Sequence, residues 1–332
     1  MCVVTGKTIV YLPNWLGDMV MATPFLASLR KPHQGELWAI GQSKAMHLYD
    51  GLGLFDRFIP NDDAKDLISF LDKVSMLRAL KFDQGIVLPH SFRAALFFFL
   101  GAVRNRIGYR LNRRGFMLTQ ALEQQTELVA TAEQYLRILD ALGAERSSEA
   151  PSLCVTEDEE QRFDSKYTDV GRDYVAFIVG AQYGPSKRWP ASHFSELADM
   201  IVSKYSRMVY ILPGKQEMEI AQRVYDKVSN KEKVRIEVME IADLKVCLSR
   251  ASLVVSNDTG PRHMADALGR PTIVILGPMD AKYTEYPSRS TFPVFKEVAC
   301  RPCNKKKCET NHECMAGIRA GDVFAKVEEI LV

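Results

Sequence analysis

Short apolar runs alternate with amphipathic segments through the first part of the chain. The apolar runs have the length of strands, and the amphipathic segments repeat their apolar residues every three or four positions, which is typical of helices. Strands are predicted at 7–12, 36–40, 57–59 and 85–88, and helices at 18–30, 44–52, 64–81, 91–100 and 131–142. This alternation predicts a doubly wound α/β domain.

A polar stretch from 145 to 166 interrupts the pattern, which then starts again. Strands are predicted at 174–179, 208–212 and 234–238, and helices at 192–204, 216–228, 241–249 and 322–332. The stretch 253–276 adds a strand, a polar turn, a helix and a second strand. We therefore expect two doubly wound, Rossmann-like α/β domains, 1–160 and 161–332, facing each other across a cleft.

The composition limits the class of protein. With 332 residues and 47% hydrophobic content, the chain can form two domains with full cores. A formal net charge of +2 argues against binding of polyanions over the whole surface. No run approaches the ~20 apolar residues of a membrane span. Residues 1–6 show no signal-peptide pattern, and the odd count of seven cysteines does not indicate a secreted disulfide framework. We expect a cytoplasmic protein.

The first candidate site is the polar turn Asn257–Gly260, between a predicted strand and a predicted helix. Free N–H groups and the helix dipole favour an anion at such a turn. Asp258, Thr259 and Gly260 are therefore predicted to bind phosphate, with His263 one helical turn further on. The alternative is that Asp258 or Thr259 only caps the helix.

A second candidate is the loop 180–190, which follows the first strand of the second domain. Gly180, Gly184 and Ser186 lead to Lys187 and Arg188, two cations that would suit a diphosphate at the end of the strand. Two solvated surface cations are the alternative. Because the loop and the turn follow strands of one sheet, phosphate binding is the better hypothesis.

A third candidate follows the strand at 208–212, where Gly214 precedes Glu217 and Glu219. Acidic residues in nucleotide sites accept hydrogen bonds from ribose hydroxyls, so either glutamate could bind ribose. Each could equally be a favourable acid in the first turn of a helix.

The fourth candidate is Asp18, at the first strand-to-helix turn of the chain, after Asn14 and Trp15. The helix dipole stabilises a carboxylate there in its charged form, so that it could accept a proton from a bound hydroxyl. The alternative is a helix N-cap.

Arginines are concentrated between 104 and 115, in a segment predicted to be a loop without acidic residues. They are Arg104, Arg106, Arg110, Arg113 and Arg114. In a nearly neutral protein this local excess predicts an anionic partner, such as phosphates, carboxylates or a membrane head-group surface. A solvated face is the alternative, and one short cluster is weak support for nucleic acid.

Four cysteines, Cys300, Cys303, Cys308 and Cys314, lie within fifteen residues and include His312 between them. Four thiols could hold zinc or an iron–sulfur cluster, but their spacing fits no common zinc motif. A metal at these cysteines is therefore an optional, structural hypothesis. The chain also lacks a Gly-x4-Gly-Lys-Ser/Thr loop and an Asp-x-Asp pair that would hold a metal on a diphosphate, which predicts a metal-free phosphate site.

Three motifs, taken in order, resemble glycosyltransferase family 9, the lipopolysaccharide heptosyltransferases. They are Leu12–Met19, the Gly180-x3-Gly184-Pro185-x-Lys187-Arg188-Trp189-Pro190 loop and the Ser256–Gly260 turn with His263. The second motif is most similar to the heptosyltransferase II branch. The resemblance implies a GT-B fold, an ADP-heptose donor in the second domain, an acceptor in the first, and inverting transfer that requires no metal or other cofactor.

The resemblance also implies roles for individual residues. Asp18 would be the general base, Lys187 would bind the donor phosphate, and Asp258–Gly260 would form the diphosphate turn. Asn14, Trp15 and Arg93 would bind a Kdo-lipid A or heptosyl-Kdo-lipid A acceptor at the inner face of the cytoplasmic membrane, without nucleic acid. Four arginines of the cluster would join them, namely Arg104, Arg106, Arg110 and Arg113. The rival functions are a nucleotide-sugar epimerase or hydrolase of the same fold and a metal-binding sensor built on the cysteines.

Overall fold

The computed structural model of the protein describes residues 6–62, 66–125, 127–288 and 290–331. The predicted lack of a signal peptide concerns residues 1–5, which lie outside this description, as do the predicted helix start at Ala64 and the predicted helix end at Val332. The chain divides into two units. Unit 1 is Met1–Pro151 with Thr284–Pro287, and unit 2 is Ser152–Tyr283 with Ser288–Val332.

Unit 1 is built on a parallel sheet with the strand order β3-β2-β1-β4-β5-β6. Its strands are β1 (Thr8–Tyr11), β2 (Leu37–Gly41), β3 (Arg57–Pro60), β4 (Gln84–Val87), β5 (Asn105–Tyr109) and β6 (Gln120–Leu122). Its helices are α1 (Leu16–Met21), α2 (Thr23–Arg30), α3 (Lys44–Tyr49), α4 (Leu67–Leu80), α5 (Phe92–Leu100) and α6 (Thr131–Ala141).

Unit 2 has a second parallel sheet, with the order β12-β11-β10-β7-β8-β9. Its strands are β7 (Val175–Ile178), β8 (Val209–Ile211), β9 (Val234–Ile236), β10 (Leu253–Asn257), β11 (Thr272–Leu276) and β12 (Thr291–Phe295). Its helices are α7 (Glu157–Lys166), α8 (Ala191–Tyr205), α9 (Met218–Lys227), α10 (Ile241–Arg250), α11 (Gly260–Ala267), α12 (Glu313–Ala316) and α13 (Ala320–Ile330). Short 3-10 helices lie at Gly115–Met117, Pro185–Lys187, Lys215–Glu217, Lys231–Lys233 and Ala281–Tyr283.

The two sheets have the same topology. Counted within its own unit, each sheet has the strand order 3-2-1-4-5-6, which is the Rossmann arrangement. The order reverses between β1 and β4 in unit 1 and between β7 and β10 in unit 2. Ligands of such sheets bind beyond the carboxyl ends of the strands at this reversal. The predicted Rossmann-like organisation is confirmed for both units.

The central strands are apolar because helices cover both of their faces. Every residue of β2, β10 and β11 is buried. In unit 1, Ile9 and Ile40 pack with Phe97 and Phe98 of α5. In unit 2 the corresponding core includes the fully buried Trp189. No helix in the described part of the chain is long and apolar enough to cross a bilayer.

The prediction of one loop from 104 to 115 is wrong. Asn105–Tyr109 forms β5, which pairs with β4 and β6 inside the sheet. Ile107, Gly108 and Tyr109 are buried, whereas Arg104 and Asn105 are exposed. The charges at the start of this strand concealed its short apolar end.

The polar stretch from 145 to 166 contains a helix that its composition did not indicate. Helix α7 begins with a capping box in which Thr156 and Glu159 bond each other's backbone N–H groups. Glu159 also forms a buried ion pair with Lys245 of α10, at 2.8 Å. The charged residues that suggested a linker therefore include a capping residue and an internal ion pair.

Candidate active site

The loop and the turn predicted to bind phosphate lie side by side at the strand reversal of unit 2. The 180–190 loop follows β7 and the 257–260 turn follows β10, and these two strands are paired neighbours. Asn257 connects the two segments. Its Oδ1 accepts the N–H of Trp189 (3.0 Å), and its Nδ2 donates to the carbonyls of Val179 (2.8 Å) and Gly180 (3.2 Å). Because Asn257 is fully buried, the relative position of loop and turn is fixed.

Two cations converge on the buried carboxylate of Asp258. Lys187 Nζ donates to Oδ2 at 2.7 Å and to the Asp258 carbonyl at 3.1 Å, while Arg262 Nε donates to Oδ1 at 3.1 Å. Burial alone raises the pKa of Asp258, but Arg262 and then Lys187 outweigh it, and its pKa lies well below the ordinary value. Asp258 is therefore ionised and holds both cations in place.

The amino end of α11 opens beside this ion-pair network. Thr259 is the N-cap residue, and its side chain makes no capping hydrogen bond. The Asp258 carboxylate is bonded to the two cations, so neither of these two side chains caps the helix with a hydrogen bond. Thr259 and Gly260 are partly exposed, which leaves their end of the helix accessible to an anion. His263 is buried in the next turn, and burial and then Arg262 lower its pKa, so its ring is neutral.

Two glycines of the 180–190 loop are required by close contacts. A Cβ on Gly180 would lie 1.9 Å from Oε2 of Glu217, and one on Gly184 would lie 2.3 Å from the Lys306 carbonyl oxygen. Glu217 Oε2 also accepts the N–H of Gly214 at 3.1 Å. Glu219 points elsewhere, with an 86% exposed side chain beside Arg223. The structure therefore brings Glu217, but not Glu219, to the phosphate-site candidates.

Arg188 has one unsatisfied donor in this loop. Its Nη2 lies 3.4 Å from the Ala181 carbonyl, whereas its buried Nε has no hydrogen-bond partner among the described residues. A buried donor without a partner is unfavourable, and an anionic ligand would satisfy it.

The cysteine segment, residues 300–314, supports the 180–190 loop. Ser186 Oγ donates to the carbonyl of Lys305 (2.5 Å), and the Ser186 N–H donates to the carbonyl of Lys306 (3.2 Å). His312 Nε2 lies 2.6 Å from the Ser186 carbonyl oxygen. Sequence reasoning missed this packing, because contacts between residues more than 100 positions apart leave no local pattern.

The cysteines themselves are free thiols. Cys300 is exposed, Cys303 and Cys308 are partly buried, and Cys314 is buried. Within the described ranges, no group of three or more histidine, cysteine, aspartate or glutamate side chains is arranged to hold a metal ion. The optional zinc or iron–sulfur hypothesis therefore gains no support.

In unit 1, Asp18 lies at the corresponding strand reversal, in the first turn of α1 after β1. The N-cap residue is Trp15, so Asp18 is not a helix cap. Asp18 is half-buried, and Tyr49 and Tyr135 are buried near it. Burial, and then the charge of Asp18, raise the pKa of both tyrosines, which therefore stay protonated. Asn14 and Trp15 are exposed just before the helix.

The six candidate arginines of unit 1 separate into three groups. Arg110 and Arg113 are exposed beyond the carboxyl end of β5, and Arg93 is exposed at the start of α5. All three therefore lie at the carboxyl ends of the strands, as Asp18 does. Arg104 and Arg106 lie at the opposite, amino end of β5. These five were all predicted to bind the acceptor, and the geometry brings only the first three to one edge.

Arg114 forms a group of its own because it is internal. It is fully buried, and its Nε donates to the Tyr109 carbonyl at 2.8 Å. Its Nη1 donates to the carbonyls of Pro89 and Ser91. Burial lowers its pKa to about 10. Arg114 therefore ties β5 to the loop after β4.

Two Rossmann-like units of six parallel strands define the GT-B class of fold, as predicted. The structure of Escherichia coli ADP-heptose lps heptosyltransferase II superposes with a TM-score of 0.85 at 22% identity, covering 98% of each chain. A glycosyl transferase family 9 structure from Veillonella parvula also gives 0.85, at 21% identity, covering 100% of this chain and 98% of that one.

The chain belongs to glycosyltransferase family 9 (heptosyltransferase), whose family model matches residues 73–313. Lipopolysaccharide heptosyltransferase 2 of Salmonella typhimurium is 23% identical over 295 residues, covering 84% of each chain. Lipooligosaccharide heptosyltransferase 2 of Haemophilus influenzae is 26% identical over 311 residues, covering 82% of this chain and 83% of its own. These findings confirm the predicted family, the resemblance to heptosyltransferase II and the glycosyltransferase class of enzyme.

Proposed function

We propose that this glycosyltransferase moves heptose from ADP-L-glycero-D-manno-heptose to the Kdo/heptose inner core of lipopolysaccharide, with inversion and without a metal ion. The observation that carries the proposal is the buried Lys187–Asp258–Arg262 network at the amino end of α11. It offers fixed positive charge where a nucleoside diphosphate leaving group needs it. The heptosyltransferase relatives support the sugar and the acceptor class.

In this proposal Asp258 does not bind the diphosphate itself, because a carboxylate repels phosphate. It holds Lys187 and Arg262, so that their N–H groups and the α11 amides are positioned before the donor arrives. The unsatisfied Nε of Arg188 supplies a further donor. Glu217, beside Gly180, accepts hydrogen bonds from the ribose hydroxyls, and Glu219 has no part in binding.

Unit 1 would bind the acceptor and supply the general base. As the acceptor oxygen bonds to the anomeric carbon of heptose, its proton passes to the Asp18 carboxylate. The bond from that carbon to the phosphate oxygen breaks, and ADP leaves with the electron pair. A single displacement of this kind inverts the anomeric centre. The two tyrosines near Asp18 stay protonated, so Asp18 is the group among these three that carries a negative charge and can accept the proton.

The acceptor is then a lipid-linked saccharide, either Kdo-lipid A or heptosyl-Kdo-lipid A. Its carboxylates and phosphates suit Arg93, Arg110 and Arg113, which lie at the sheet edge of Asp18. We accordingly propose that the enzyme works in the cytoplasm, bound peripherally to the inner face of the cytoplasmic membrane.

Two substitutions separate chemistry from donor binding. Asp18→Asn should lower turnover by about 10²–10⁴-fold, as expected for loss of a general base, and leave ADP affinity nearly unchanged. Lys187→Ala should weaken ADP binding at least about tenfold, since it removes a charge-assisted contact. Turnover would be followed as ADP release, and affinity by calorimetry. Asp72→Asn and Lys227→Ala make the same chemical changes at exposed helical positions and serve as controls.

The outcomes distinguish the rival functions as well. ADP release that needs no Kdo-bearing acceptor would indicate a hydrolase, and would overturn the proposal. Normal turnover in Asp18→Asn would remove Asp18 as the base. Unchanged ADP affinity in Lys187→Ala would remove the phosphate role of the network.

A further inference from the structure

Three phenylalanines are exposed on one side of unit 1, and one of them contacts the other two. Phe92 and Phe99 lie seven residues apart on the outer face of α5, and the ring of Phe116 is 6.4 Å from each. Their exposed fractions are 42%, 43% and 72%. Single exposed apolar residues are ordinary, but a contiguous aromatic cluster indicates a surface that binds something.

A second group of exposed apolar side chains lies on the neighbouring helix α4. Leu67, Ile68 and Leu71 are exposed on the first two turns of this helix, which packs against α5. The guanidinium of Arg93 on α5 lies 4.5 Å from the ring of Phe70 on α4, so the amino ends of the helices are adjacent. We call Leu67, Ile68, Leu71, Phe92, Phe99 and Phe116 the apolar patch.

The surroundings of the apolar patch are positively charged. Residues 91–122, which include α5 and β5, contain six arginines and no acidic residue. Arg106 lies 5.4 Å from the ring of Phe99, and Arg113 is exposed near Phe116 in the chain. Arg104 and Arg110 each have an exposed carboxylate within 3.5 Å, so part of their charge is offset. Arg106 and Arg113 keep their charge. At α4 the two aspartates Asp66 and Asp72 are matched by Lys73 and Arg78, so the face as a whole is positive.

We propose that the apolar patch and its arginines dock unit 1 on an anionic lipid surface. The phenylalanines and the α4 residues would enter the boundary between head groups and acyl chains, and the guanidiniums would contact head-group phosphates. A second copy of the chain would bring the same positive rim, and like charges disfavour that contact. The inference extends the proposed function, whose acceptor is carried on a lipid.

Co-sedimentation with vesicles tests the docking without donor or acceptor, so its result is independent of whether heptose transfer is established. The purified protein should bind vesicles of phosphatidylcholine and phosphatidylglycerol at least about tenfold more tightly than vesicles of phosphatidylcholine alone. Raising the salt concentration should weaken this binding by screening. Phe116→Ser should weaken it about tenfold and Arg113→Ala about fivefold.

Matched substitutions in unit 2 control for general effects of polarity and charge. Phe295 is 48% exposed and also has an arginine, Arg301, against its ring, so Phe295→Ser makes the same change away from the patch. Arg223→Ala, on the outer surface of α9, is the control for Arg113→Ala. Both controls should bind vesicles like the wild type. Phe116→Ser should also keep normal turnover on a delipidated, water-soluble acceptor, which shows that it is folded.

Three results would overturn the proposal. They are the absence of binding to either vesicle, equal loss of binding in Phe116→Ser and Phe295→Ser, and a wild-type dimer in sedimentation velocity that Phe116→Ser converts to monomer. The last result would assign the apolar patch to a second copy of the chain.

Discussion

The two strand reversals of this enzyme have the same topology and opposite electrostatic character. In unit 2 the 257–260 turn has a buried ion-pair network, in which Asp258 holds Lys187 and Arg262. In unit 1 the equivalent edge presents Asp18, which is half-buried and lies near two neutral tyrosines. A leaving diphosphate needs fixed charge that is already desolvated, whereas a base must reach a hydroxyl and exchange a proton. The same fold thus serves two chemical needs through burial and pairing.

The largest difference should appear when the two aspartates are replaced. Asp258→Asn leaves two buried cations without their anion, and we expect it to lower the free energy of unfolding by about 3–5 kcal/mol. Asp18→Asn should change that free energy by less than about 1 kcal/mol, since the side chain is half-exposed. Urea unfolding of both variants measures this. Equal destabilisation would show that the two turns do not differ in this way.

A smaller effect is expected from crowding the 180–190 loop. Gly180→Ala places a methyl group on the carboxylate of Glu217, so we expect ADP affinity to fall about tenfold or more. Gly171→Ala, where the added methyl group meets nothing within 4 Å, is the matched control in the same unit. Calorimetric titration with ADP decides the point. Normal affinity in Gly180→Ala would mean that the Glu217 position has no role in binding.

The two glutamates after Gly214 provide the next comparison. Glu217→Gln should weaken ADP binding about tenfold, because hydrogen bonds to a charged acceptor contribute about 1.5–3 kcal/mol. It should also reduce the preference for ADP over 2′-deoxy-ADP. Glu219→Gln should leave both quantities unchanged, since its side chain is exposed to solvent. The opposite ranking of the two variants would assign ribose to Glu219.

The last comparison concerns the pH dependence of stability. The pKa of His263 is lowered in the folded protein, so below pH 6.5 the unfolded chain binds a proton that the native state does not. Stability should therefore fall as the pH falls below 6.5, by up to about 1.4 kcal/mol per pH unit from this group. The pKa of Asp258 is also lowered, but it affects stability only below about pH 3.8, the ordinary pKa of an aspartate. Urea unfolding from pH 6.5 to 4.5 should show a shallower slope in His263→Gln, and an unchanged slope would contradict the assignment.

Much of the fold could be predicted, because its central strands are short apolar runs between helical segments. Local charge caused two of the failures. Arginines concealed β5, and the acidic residues of α7 resembled a linker although Glu159 caps the helix and pairs internally with Lys245. Charge predicts exposure only when no partner exists elsewhere in the chain, and the identity of a distant partner is not a local property.

The candidate site could be predicted at the level of motifs but not of contacts. Lys187 and the 257–260 turn were found because they follow strands of one sheet. Arg262 was missed, since nothing in its helix indicates that it pairs with a buried carboxylate. The choice between Glu217 and Glu219 required the position of Gly180, and the support from the cysteine segment required the folded chain. The sequence also grouped arginines that lie at opposite ends of β5 in the folded sheet.

A crystal structure with ADP tests the central claim most directly. The account predicts that the diphosphate lies within hydrogen-bond distance of Lys187 Nζ and of the first amides of α11, with Asp258 still paired to Arg262 and Glu217 on the ribose. A diphosphate bound away from the 257–260 turn, or separated from Lys187 by a coordinated metal ion, would contradict it.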